Sequence, residues 1–182
     1  MREVMKRIFR KNTLTKLAGL VIFLMVVVNH FQSKKWNDPG AVISGDVRVY
    51  YSYLPAYFIH DDIDFKNPDV YKVDNQLLLF YAENPDGQRY IRSTCGMAII
   101  YAPFFFIGHA AAGVIGEPQD GFSYPYLFSL MLSVLVYLAI GLVFLSKLLL
   151  RFFDDRTVSV TLLILYLGTN LFYYLTGTML YA

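Results

Sequence analysis

The sequence contains a single cysteine, Cys95, so no disulfide bond can form within one chain. It also lacks a glycine-rich loop that could cradle phosphates, the cysteine and histidine spacing of a zinc site, and a Ser/His/Asp arrangement for nucleophilic catalysis. These absences argue against a nucleotide-using or hydrolytic site within these residues.

Charge is scarce along most of the chain. Only 16% of the residues are charged, whereas 56% are hydrophobic. The charges gather in the N-terminal tail, in residues 33–94 and in two short clusters, and long apolar stretches separate them. This pattern is typical of spanning helices joined by polar loops, so we predict an all-α integral membrane protein. The basic residues lie at the edges of apolar stretches, and we therefore expect no nucleic-acid partner.

The first apolar stretch, residues 17–31, follows a basic tail, residues 1–16. The basic residues of the tail are Arg2, Lys6, Arg7, Arg10, Lys11 and Lys16. A cleaved secretory signal would also start this way, but no small-residue cleavage site follows, and we predict an uncleaved signal anchor. Six basic residues before the stretch against Lys34 and Lys35 after it place the N-terminus in the cytoplasm.

Two further stretches, residues 124–150 and 158–181, are long enough to cross a bilayer. The turn between them, residues 151–157, is basic, so we predict that it is cytoplasmic. These spans and residues 17–31 make three transmembrane helices. No polar or basic tail follows the last one, and we expect the sequence to be truncated at 182, the N-terminal part of a larger polytopic protein.

Residues 97–115 are also apolar and long enough to span. If they did, the basic turn at 151–157 would lie on the external side, against its charge. Pro103 and Gly108 also interrupt this stretch. We predict instead a helix in the outer interface, or one packed re-entrantly, so that residues 32–123 form one long external loop.

The start of this loop predicts a second interfacial helix, at about residues 45–59. Its aromatic and apolar side chains fall at helical spacing: Tyr50, Tyr53, Leu54, Tyr57 and Phe58. Ser44 is a plausible N-cap, and Pro55 should kink the helix or divide it. Such an aromatic stripe commonly does no more than anchor a helix at the membrane surface.

Asp46 would lie in the first turn of this helix, just after the chain leaves the membrane. The positive end of the helix dipole favours its ionised form there. An ionised carboxylate at this place can accept a proton from an attacking hydroxyl, or it can only stabilise the start of its own helix. The residues alone leave both roles open.

The rest of the loop has two further features. Residues 60–64 form a short acidic cluster, which either is simply solvated or binds a divalent cation. The run from Asn84 to Gly87 predicts the turn of a short hairpin, which would carry Arg89 and Arg92 back towards the membrane. An arginine at that depth either anchors lipid headgroups or binds a phosphate group.

Several of these residues together resemble a known family. Asp46 with Tyr50, Tyr51 and the run Tyr53-Leu54-Pro55, after a first spanning helix, is similar to the first external loop of GT-C-fold glycosyltransferases. The resemblance is to bacterial members related to protein mannosyltransferases and to the aminoarabinose transferases that modify lipid A. It covers the N-terminal part of that fold.

Two later segments share this resemblance. Residues 92–106 resemble the family segment that ends the external loop and begins an interfacial helix. Arg92 stands where the family has a lysine, and the usual proline is absent. Residues 120–123, Asp-Gly-Phe-Ser, are a third likeness, leading into the next span.

The resemblance implies a transferase in the bacterial inner membrane that moves a sugar from a polyprenyl-phosphate carrier to an acceptor on the external face. It implies that Asp46 acts as the catalytic base or beside it. Arg92, with Arg89, would hold the phosphate of the lipid-linked donor, and Tyr50 and Tyr51 would bind substrate. The implied partners are this donor, membrane lipids and an acceptor, and no cofactor is expected.

Other functions stay open from the sequence. The chain could be a non-catalytic membrane scaffold or assembly subunit with an external interaction loop, or an inactive fragment. A transporter is disfavoured because the spanning stretches carry no ionisable residue of the kind that an ion or proton pathway needs.

Overall fold

The computed structural model describes residues 12–73, 76–79 and 81–176, which form two compact units. The first, here called the helix unit, comprises residues 12–33 and 134–176. The second, the loop unit, comprises the described part of residues 34–133. Most described residues are helical, consistent with the predicted all-α membrane protein.

The helix unit is built around α1 (Thr13–Ser33), which packs along α7 (Asp155–Leu167). One residue in each turn of α1 is buried, including Ala18, Ile22 and Val26. Large apolar side chains on its other sides are exposed: Leu17, Leu20, Leu24 and Val28. A helix that is apolar on every side is suited to lipid surroundings rather than to water.

Asp155 joins the N-terminal ends of these two helices. Its Oδ2 accepts a hydrogen bond from the backbone N–H of Leu14 at 3.0 Å, and its Oδ1 accepts from the N–H and the hydroxyl of Thr15 at 2.9 and 2.7 Å. The first N–H groups of a helix have no partner inside it, and the helix dipole favours an anion there. Because Asp155 closely follows α6 (Tyr124–Leu149), this contact also places the C-terminal end of α6 beside the start of α1.

Within the described part of the chain, three helices are long and apolar enough to cross a membrane: Thr13–Asn37, Gly96–Ile115 and Tyr124–Leu149. The first and third contain the predicted spans 17–31 and 124–150. The second, α5 (Gly96–Ile115), is one continuous 20-residue helix in spite of Pro103. Its length and composition fit a span, and its location at the outer interface stays a prediction.

In the predicted third span, residues 158–181, the described residues form two helices rather than one. The structure ends α7 at Leu167 and begins α8 at Asn170 (Asn170–Thr176), with a bend of 63° between them. The cause is local. Gly168 caps α7, and the Thr169 hydroxyl oxygen accepts from the N–H of Leu171 at 3.2 Å, which starts a new helix. Residues 177–181 lie outside the described part of the chain. The two helices qualify together only as a broken span or a re-entrant loop.

The predicted helix 45–59 is two helices, α3 (Asp46–Tyr51) and α4 (Tyr53–Phe58), which follow the short α2 (Pro39–Val42). Pro55 accounts for the division at Ser52, because it has no N–H to donate to the carbonyl four residues earlier, that of Tyr51. Ser44 is not the N-cap. Gly45 occupies that position, with φ 53° and ψ −132°.

The predicted hairpin is confirmed. Strand β3 (Ala82–Glu83) pairs with β4 (Arg89–Tyr90) in antiparallel register, and the N–H of Gly87 donates to the carbonyl of Asn84 at 2.9 Å to close the turn. A second hairpin, β1 (Lys72–Val73) with β2 (Gln76–Leu77), was not predicted.

Candidate functional site

Asp46 is exposed in the first turn of α3, and two features hold it there. Gly45 before it has a positive φ and lies in a region of backbone conformation that is open essentially to glycine alone. The side chain of Arg48 reaches back, and its Nε donates to the carbonyl of Ile43 at 3.1 Å. The carboxylate is therefore presented at a fixed helix start rather than on a loose loop.

The two predicted substrate-binding tyrosines lie in different surroundings. Tyr50 is partly exposed, whereas Tyr51 is fully buried. The hydroxyl of Tyr51 donates to the carbonyl of Gly121 at 2.5 Å, and its ring packs against Phe105 and Phe122. Burial, followed by the nearby Tyr126 and Asp120, raises the pKa of Tyr51 well above its ordinary value. Tyr51 thus packs in the interior of the loop unit, and its assignment to substrate binding stays a prediction.

Gly121 and Asp120 complete the anchor for Tyr51. Asp120 Oδ1 accepts from the N–H groups of Phe122 and Ser123 at 2.7 and 2.8 Å, which fixes the turn directly before α6. Gly121 has φ +86°, and a Cβ placed on it would lie 2.9 Å from the Cβ of Pro55. The resemblance singled out residues 120–123, and in this structure they hold α3 and α4 in place.

Arg89 has protein partners on each side of its guanidinium. Its Nη1 donates to the carbonyl of Phe65 at 2.8 Å, its Nε lies 3.4 Å from Glu83 Oε2, and its Cζ lies 5.1 Å from the ring centroid of Tyr81. These contacts tie the β3–β4 hairpin to the preceding loop. The prediction that Arg89 binds the donor phosphate stays a prediction, and its contacts in this fold are with other residues of the loop unit.

Arg92 is exposed in the short segment between β4 and α5. The next residue, Ser93, accepts a hydrogen bond through its carbonyl from the hydroxyl of Tyr53 on α4. Burial and then the neighbouring Cys95 raise the pKa of Tyr53. This contact links the helix pair that begins at Asp46 to the segment that carries Arg92. The aromatic stripe predicted the helix, but its period could not reveal a partner 40 residues away.

The acidic cluster at residues 60–64 organises the loop. Asp62 accepts from the N–H groups of Lys66 and Asn67 at 2.8 and 3.1 Å and from the hydroxyl of Tyr71 at 3.2 Å. Burial raises the pKa of Asp62, but these hydrogen bonds together outweigh it, so the net shift is downward. Across residues 12–73, 76–79 and 81–176, no group of three or more His, Cys, Asp or Glu side chains could hold a metal ion.

Gly108 has a packing role that the sequence did not indicate. A Cβ on it would lie 2.7 Å from the Cα of Tyr126, so the glycine allows α5 and α6 to approach closely. A side-chain contact between the same two helices lies beside it, because His109 Nδ1 is 2.5 Å from the hydroxyl oxygen of Tyr126.

Comparison with protein-family models, curated proteins and solved structures found no match for this chain.

Proposed function

We propose that this chain belongs to a membrane glycosyltransferase that transfers a sugar from a polyprenyl-phosphate donor to an acceptor at the membrane surface. The observation that carries the proposal is the exposed Asp46 carboxylate, fixed at the start of α3 a short distance along the chain from the apolar α1. The hydrogen bond from Tyr53 to Ser93 supports it by linking this helix pair to the segment of Arg92.

In the proposed reaction, Asp46 accepts the proton of the acceptor hydroxyl as its oxygen attacks the anomeric carbon of the sugar. A new glycosidic bond forms while the bond from the anomeric carbon to the phosphate oxygen breaks. The electron pair leaves with the polyprenyl phosphate, whose charge the guanidinium of Arg92 stabilises through paired hydrogen bonds. Attack opposite the leaving group inverts the anomeric centre.

The proposed location follows from the charges of the sequence. The basic tail places the N-terminus in the cytoplasm, and the loop unit then faces outwards, in a bacterial inner membrane. A donor that is anchored in lipid presents its headgroup at the membrane surface, and Asp46 follows the end of the spanning helix α1 by 13 residues.

The experiment is Asp46→Asn in the intact protein, with transfer of labelled sugar from a polyprenyl-phosphate donor as the assay. Loss of a general base lowers turnover by about 10²- to 10⁴-fold. Asp86→Asn is the matched control, because Asp86 is an exposed aspartate in the turn of the β3–β4 hairpin. Near-normal turnover in Asp46→Asn, with both variants folded, would remove Asp46 from the mechanism.

A second candidate function is a membrane scaffold or assembly subunit. It is favoured by an exposed aromatic patch formed by Tyr57, Phe58 and Phe106, in which the rings of Phe58 and Phe106 lie 4.9 Å apart. A scaffold predicts that Asp46 and Arg92 tolerate substitution, whereas Phe58→Ala loses a protein partner. The transferase predicts the reverse.

A further inference from the structure

The helix unit contains a groove that the proposed transfer reaction does not use. It lies between the first half of α1 and the last half of α6 and encloses about 450 Å³. Leu20 and Phe23 on α1, with Ala139 and Val143 on α6, form much of its wall. Gly19 widens it, because the space beside its missing side chain is empty to at least 4 Å.

Polar and charged groups line only one end of this groove. That end carries Asn12, just before α1, Lys16 on α1, and Ser146 and Lys147 on α6. These residues lie together because Asp155 places the C-terminal end of α6 beside the start of α1. Both lysines are exposed, so their charges stand at the mouth of an otherwise apolar groove.

The length of the groove matches one leaflet of a bilayer. Its lining runs from residue 12 to residue 23 on α1 and from residue 139 to residue 150 on α6. At 1.5 Å per residue each wall is about 16 Å long, roughly half of a 30 Å hydrocarbon core. The groove therefore extends from headgroup depth to about the middle of the membrane.

The lysines are not used to neutralise the nearby acids. Asp155 accepts from the N–H groups of α1, and Asp154 accepts from Thr157 at 2.6 Å and from the N–H of Arg156 at 3.2 Å. Arg151 and Arg156 lie close in sequence to this end of the groove. The described residues there thus carry four basic side chains, with Lys16 and Lys147, against the two acids.

We propose that this groove binds an anionic phospholipid, with the headgroup phosphate at Lys16 and Lys147 and one acyl chain along Leu20, Phe23 and Val143. Basic pockets between spanning helices on the positively flanked side of a membrane protein bind anionic headgroups. The apolar walls bury methylene groups of the chain, and the charge at the mouth selects the headgroup.

The test is native mass spectrometry of the intact protein titrated with dioleoylphosphatidylglycerol or dioleoylphosphatidylcholine. Lys16→Gln with Lys147→Gln should weaken phosphatidylglycerol binding by about 30-fold, at roughly fivefold for each lysine, and leave phosphatidylcholine binding unchanged. The matched control is Lys34→Gln with Lys35→Gln, which removes the same charge after the other end of α1. Equal losses in the two double variants would overturn the proposal, because binding would then follow net charge alone.

A second pair of variants tests the acyl chain. Gly19→Leu fills the groove, whereas Gly141→Leu adds the same side chain to α6 outside it, and neither meets an atom within 4 Å of its Cβ. Displacement of two or so methylene groups should weaken binding of both lipids by about tenfold in Gly19→Leu only. Equal affinity in the two variants would place the lipid elsewhere. No retained lipid in any variant, the unsubstituted protein included, would equally overturn the proposal.

Discussion

Replacement of Gly121 by alanine should destabilise the loop unit more than the same change at any glycine that only requires a positive φ. Two costs add at this position. An L-residue in the left-handed region costs about 1–2 kcal/mol. The new Cβ would also lie 2.9 Å from the Cβ of Pro55, part of a buried proline ring that cannot swing away.

The size of the second cost follows from overpacking. Forcing one methyl group into a filled interior typically costs about 1–3 kcal/mol. The sum for Gly121→Ala is therefore about 2–5 kcal/mol of unfolding free energy. Gly87 is the matched control, because its φ is +79° and the nearest atom to its Cβ is Glu83 Oε1 at 4.0 Å. Gly87→Ala should lose only the cost of an L-residue in the left-handed region, about 1–2 kcal/mol of unfolding free energy.

The single tryptophan provides the assay. Trp36 belongs to the loop unit, is 7% exposed and packs edge-on against Phe128 at 5.6 Å. Its fluorescence should therefore report unfolding of this unit in detergent as denaturant is added. If Gly121→Ala and Gly87→Ala shift the transition equally, Pro55 does not restrict position 121, and the packing of α4 against residues 120–123 would have to be reconsidered.

Three other predictions rest on the same contacts. Tyr51→Phe leaves the buried carbonyl of Gly121 without its donor and should cost about 1–3 kcal/mol, measured by the same Trp36 transition. Asp62→Asn should weaken the pH dependence of stability in acid. The pKa of Asp62 is lowered in the folded protein, so its contribution to folding stability is complete above the ordinary carboxyl pKa and is lost as pH falls through the lowered value. An unchanged fall of stability in acid would contradict this. Arg89→Lys should loosen the β3–β4 hairpin, seen as faster backbone hydrogen exchange at Asn84, whose N–H donates to the carbonyl of Gln88 at 2.8 Å, while Asp86→Asn should not.

Features that depend on neighbouring residues could be predicted from the sequence. The apolar stretches around α1 and α6 predicted helices long enough to span, and Asn84 to Gly87 predicted the turn that closes β3–β4. The break at Gly168 and Thr169 also has local causes. A long apolar run concealed it, because hydropathy averages over the two residues that cap the adjoining helices.

Features that depend on distant contacts could not be predicted. Helical period placed Tyr50 and Tyr51 on a predicted helix, but only the hydrogen bond of Tyr51 to a carbonyl 70 residues later shows which one is buried. The contact of Arg89 with the carbonyl of Phe65, 24 residues earlier, likewise could not be predicted from the sequence. Gly108 was interpreted as an interruption of a helix, whereas its role is to admit the backbone of Tyr126.

The contact between Asp155 and the start of α1 has a consequence for biosynthesis. Leu14 and Thr15 are translated about 140 residues before Asp155, whose carboxylate accepts hydrogen bonds from their N–H groups. At 5–20 residues per second this interval is roughly 7–28 s. During that time the N–H groups of Leu14 and Thr15 lack this acceptor. They gain it only when translation has reached the start of α7. The start of α1 is thus completed by a helix that is translated much later.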